Sequence, residues 1–176
     1  MIGISDTDWR LGSALVAAAG FVAAARLWWI YFDFINLLDI KRGLLSRNVF
    51  IYGHLPVAVG LAAAGVGIKK AILYANEPAL PAAGAWALCG GAALFLGAVG
   101  LIYAISTRST HTRNLAAHAV TAIIALCLAG GGATTAPVLI GLLLLTLLSL
   151  VAFEVIEKSP HETTGDGPSR MPEKSE

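Results

Sequence analysis

Apolar residues run in five long blocks, about 9–36, 49–73, 82–106, 114–132 and 134–153, and short segments carrying Pro, Asn, Lys and Arg divide them. A helix needs roughly 20 residues to cross a 30 Å hydrocarbon layer, so blocks of this length predict membrane spans. The expected fold is an all-α integral membrane protein, a bundle of about five transmembrane helices within residues 1–158. Residues 159–176 turn to Pro, Gly, Ser, Glu and Lys, which bury too little surface to order a chain, and are expected to form a disordered cytoplasmic tail.

Local signals set the boundaries. Ser5 and Asp8 have capping-box spacing just before Trp9. Asn76, Glu77, Pro78 and Pro81 form a breaker cluster between the second and third blocks, and Gly130-Gly131-Gly132 closes the fourth. Pro56 falls seven residues into the second block, where it either opens a helix or kinks one. The third block is rich in glycine, and Gly60, Gly97 and their small neighbours are expected to let helices approach closely.

Against this background the polar residues stand out. Arg26 and Asp33 lie seven apart, two helical turns, so they share nearly one face and stand roughly 10 Å apart along the axis. A lone charge at mid-bilayer costs on the order of 2.5–3.5 kcal/mol, so this face is expected to point into the bundle. Counting inward from the basic turn, Asp33 and His54 reach similar depth, and a hydrogen bond or one bridging water between them is expected. His118 sits one turn inside the fourth block, and with Arg26, Asp33 and His54 it completes a candidate polar, proton-linked site.

The strings Leu27-Trp28-Trp29-Ile30-Tyr31-Phe32-Asp33 and Tyr52-Gly53-His54-Leu55-Pro56, with Gly60 and Ala64-Gly65, resemble the second half of bacterial low temperature requirement A proteins. Gly90-Gly91-Ala92-Ala93-Leu94-Phe95-Leu96 adds a weaker match, and the likeness covers roughly Trp9 to Phe153. The resemblance implies a polytopic membrane protein named for growth in the cold, with no settled activity. An N-terminal aromatic Glu-Leu-Phe-Phe-Asp type segment of the family is absent, so the chain looks like a half-length member or a fragment.

Composition agrees with a bilayer protein: 57% of the 176 residues are hydrophobic, 13% are charged, and the mean hydropathy is +0.75. A formal charge of +1 without a clustered basic face argues against a nucleic-acid partner. Cys89 and Cys127 lie in apolar runs without nearby His, so no metal centre and no cofactor is expected. No nucleophile–base pair or metal-ligand motif points to an enzyme. Met1 to Thr7 is acidic, so the first block is expected to be a retained helix rather than a leader.

Lys41, Arg42, Arg47, Arg108 and Arg113 fall in the segments after blocks one and three, against Arg10, Lys69 and Lys70 on the opposite side. The expected topology is a multi-pass protein of the cell (plasma) membrane, N-terminus outside and C-terminus cytoplasmic. Two functions fit these residues. One is a transporter or channel-like protein built on the intramembrane polar site. The other is a non-catalytic structural or regulatory membrane subunit that needs a homo-oligomer or a complementary membrane half.

Overall fold

The computed structural model describes residues 11–36, 44–106, 112–132 and 134–158. The expected capping box, the tail and most of the first basic turn lie outside them. Among the described residues there are only helices and short connections: α1 (Leu11–Asn36), α2 (Leu44–Leu73), α3 (Ala82–Ala85, Trp86–Gly90 and Gly91–Ser106 in continuous succession), α4 (Thr112–Gly130) and α5 (Ala136–Lys158). Three helical spans, Leu11–Asp33, Ser46–Leu73 and Ala82–Ile105, are long and apolar enough to cross a membrane, and α4 and α5 contribute the shorter apolar runs Leu115–Gly130 and Ala136–Ala152.

The second and third helices depart from the sequence expectation for identifiable reasons. Leu44 to Asn48 contains no breaker, so α2 starts five residues early, immediately after Gly43, with Ser46 already buried. Pro56 is therefore an interior proline rather than a first-turn one. It cannot donate to the carbonyl of Tyr52, and α2 has a weakened turn there. The third block forms as expected but changes register, because Trp86–Gly90 is a π-helical turn. Such a turn inserts one extra residue per hydrogen-bonded loop and rotates everything that follows.

The central helix is α3. Of its most apolar stretch 67% is buried within the protein, against 28% for α1 and 17% for α2. Its closest neighbour is α2, and glycines make the approach possible. A methyl group added at Gly60 would lie 2.6 Å from the Phe95 amide nitrogen and 2.8 Å from the Gly91 carbonyl oxygen; one at Gly91 would lie 2.8 Å from the Gly60 carbonyl oxygen. Gly67 meets the Leu88 backbone in the same way. Packing rather than water exclusion holds helices together in lipid, and backbones in direct contact maximise it. Gly60 does what the sequence predicts; Gly97 does not, for it is exposed with open space around it. The π turn lies between Ala85 and Gly91, and the face that α3 turns to α2 runs through Leu88, Gly91 and Phe95 instead.

Around this seam Val16, Ala23, Leu27 and Ile30 of α1, Leu88, Leu96, Val99 and Ile102 of α3, and Leu139, Ile140, Leu143 and Leu147 of α5 form the core. Large apolar side chains that remain exposed, among them Phe21, Trp28, Trp29, Ile51, Leu55, Leu101, Ile123 and Leu145, clothe the outside. A water-soluble surface does not carry such a continuous apolar coat. The hydroxyls of Thr121, Thr146 and Ser149 bond to carbonyls of their own helices at 2.8, 2.7 and 2.8 Å, which hides their polarity without a neighbour's help.

At one end of the bundle the connections are tied together. The Leu80 amide donates to the Thr134 carbonyl at 2.9 Å, and the Asn76 side-chain amide donates to Ser13 at 3.2 Å. Gly132, at φ 91°, takes the left-handed turn that ends α4, a conformation glycine adopts without strain.

Candidate functional site

The buried line of α1, Val16, Ala23, Leu27 and Ile30, advances in steps of three, four and seven, as one face of a helix must. Each residue turns the helix by about 100°, so Arg26 and Asp33 stand roughly a quarter-turn off that line. Both are half-buried on its flank, and Leu27, 2% exposed, is the residue that points inward. The Arg26–Asp33 face, expected to point into the bundle, thus borders the buried line of α1. Leucine and isoleucine fill the seam, and the two charged side chains stand beside it.

The same geometry decides the partner of His54. Two residues of helix turn by about 200°, so when Tyr31 faces α2, Asp33 faces nearly away. The Tyr31 hydroxyl lies 3.0 Å from His54 Nε2, and His54 Nδ1 is hydrogen-bonded to the Phe50 carbonyl one turn earlier in α2. A carbonyl only accepts, so Nδ1 carries a proton and donates to Phe50; in the neutral ring Nε2 then accepts from the Tyr31 hydroxyl. Both ring nitrogens are engaged, and the direct Asp33–His54 bond expected from depth alone is not formed. Depth counting located the level correctly and ignored the rotation.

Aromatic edges hold the imidazole. Phe50 meets it edge-on with centroids 4.9 Å apart, and Tyr31 stands perpendicular to it at 6.0 Å. Beside His54, Gly53 lies so close to Ile102 that an added methyl would come within 2.6 Å of its side chain, which fixes α2 against α3. Pro56 follows two residues later. His54 is therefore half-buried between a clamped turn below and a weakened turn above.

His118 is buried on α4, against α3 at Gly100. It lies on a different seam from the Tyr31–His54 pair. Sequence reasoning missed Tyr31, and its presence in the aromatic run before Asp33 was the available signal. Ser13 and Asn76 were also missed; nothing in their spacing, 63 residues apart, connects them. Among the described residues no three His, Cys, Asp or Glu side chains converge on one point.

An all-helical bundle with an apolar outer coat and, among the described residues, three helices of spanning length defines a polytopic membrane protein. Within that class, the family model of the bacterial low temperature requirement A protein (LtrA) matches residues 1–153. The chain belongs to that family. No curated protein and no solved structure matches it.

Proposed function

We propose that this chain is a non-enzymatic, proton-linked transport protein of the cell membrane, with the Tyr31–His54 pair as its proton-handling centre. The hydrogen bond between α1 and α2 at His54 carries this reading. A neutral imidazole that accepts from a tyrosine hydroxyl can take up a proton at Nε2, provided the hydroxyl turns away and its oxygen becomes the acceptor. Protonation thus reverses the polarity of a contact that joins two helices. Pro56 makes the response inexpensive, because the turn after His54 lacks one backbone hydrogen bond.

The basic residues after α1 and α3 favour a cytoplasmic location for that end, with the N-terminus outside. His118 on its separate seam then serves packing. A second reading is supported by the poor coverage of α2: a non-catalytic subunit whose outer faces are completed by a homo-oligomer or a complementary membrane half.

Proton flux into liposomes containing the purified chain, followed with an internal pH dye, separates the two. Transport predicts flux above empty liposomes that His54→Gln abolishes and Tyr31→Phe reduces. Flux indistinguishable from empty liposomes, together with a stable oligomer in detergent, would favour the subunit; flux unaffected by His54→Gln would refute the assigned centre.

A further inference from the structure

At the end of α2 remote from His54, Val66, Lys69, Lys70, Leu73, Tyr74 and Glu77 line an open cleft of about 660 Å³. Both lysines are exposed, and Tyr74 is half-buried beyond the last turn of α2. The position is a membrane boundary, since the spanning segment ends at Leu73. Lysine stems lie along apolar surface and lift their ammonium groups to the headgroup level, and tyrosine settles at the same depth. The cleft consequently has an apolar wall toward the bilayer, from Val66 and Leu73, and a polar rim away from it.

Adjacent lysines on this side are unexpected. Arg47 and Arg113, in the first turns of α2 and α4, stand at the opposite end of the bundle. The last-turn carbonyls of α2 account for one cation there, through the helix dipole, and not for a pair opening into a cleft.

We infer that this cleft binds the headgroup of an anionic phospholipid, with its phosphate between Lys69 and Lys70, its first methylenes on Val66 and Leu73, and headgroup hydroxyls donating to Glu77. Two lysines and one glutamate give the rim a charge of +1, which matches a phosphoglycerol headgroup and is opposite in sign to what a cationic ligand needs. The walls distinguish a lipid from a soluble phosphate, because a free phosphate would leave Val66 and Leu73 uncovered.

Native mass spectrometry of the full chain in detergent, titrated with phosphatidylglycerol, phosphatidylcholine or glycerol 3-phosphate, tests this. Phosphatidylglycerol should bind more tightly than phosphatidylcholine, and each Lys→Gln change at 69 or 70 should weaken it about fivefold, the factor for roughly 1 kcal/mol per interfacial cation. Lys69→Arg/Lys70→Arg should retain binding and Arg47→Gln should leave it unaltered, with unchanged unfolding midpoints showing that the variants fold. Equal affinity for the two lipids, or binding that survives loss of both lysines, would overturn the site. Displacement of the lipid by equimolar glycerol 3-phosphate would overturn its assignment to a lipid.

Discussion

Replacing Gly67 by alanine places a methyl group against the backbone of Leu88, within 2.6 Å of its Cβ and closer still to its amide nitrogen and Cα. No rotamer change relieves this, because the obstructing atoms belong to the α3 backbone, so α2 and α3 must separate. The matched control is Gly65→Ala, two residues away on the same helix, where nothing lies within 4 Å. Both changes gain the same helix propensity, roughly 1 kcal/mol, which cancels in the comparison. What remains is the overpacking cost, about 1–3 kcal/mol. For a chain of this size each kcal/mol moves the midpoint by about 2–4 °C, so Gly67→Ala should unfold about 2–12 °C below Gly65→Ala. Cys89, fully buried beside Leu88, reports the event through a thiol-reactive dye once the exposed Cys127 is changed to serine. A Gly67→Ala midpoint equal to or above that of Gly65→Ala would refute the close α2–α3 seam.

Leu27→Ala should cost about 2–5 kcal/mol as a buried large-to-small change, more than Arg26→Leu on the flank, and the ranking of unfolding midpoints checks it. Tyr31→Phe removes one hydrogen bond to His54 and should cost about 1 kcal/mol, measured by the same unfolding assay. Ser13→Ala removes the acceptor of Asn76 and should speed amide hydrogen exchange in the connection around Asn76 while leaving the α2–α3 seam protected.

The helices were legible because a bilayer demands long apolar blocks, and breakers such as Pro78 and Pro81 mark their ends without any tertiary information. Pro56 was ambiguous for a physical reason. Whether it opens or interrupts a helix depends on whether Leu44 to Phe50 is helical, and polar residues such as Ser46 and Arg47 mask that segment's continuity. The π turn at Trp86–Gly90 carries no periodic signature, so Gly97 was expected on a packing face that α3 directs elsewhere. At the site, depth along the axis could be counted, and azimuth could not. His54 was correctly placed beside the end of α1, and its partner moved from Asp33 to Tyr31 once the helix rotation was known.

Proton-linked transport through this pair requires His54 to rest as a neutral imidazole, protonated at Nδ1 and accepting from Tyr31 at Nε2. Solid-state ¹⁵N NMR of the histidine-labelled protein in lipid measures this directly. A His54 Nδ1–H tautomer is expected, with an Nε2 resonance that shifts in Tyr31→Phe and holds still in Asp33→Asn; an Nε2–H tautomer, or a resonance that follows Asp33 and ignores Tyr31, would rule out this centre.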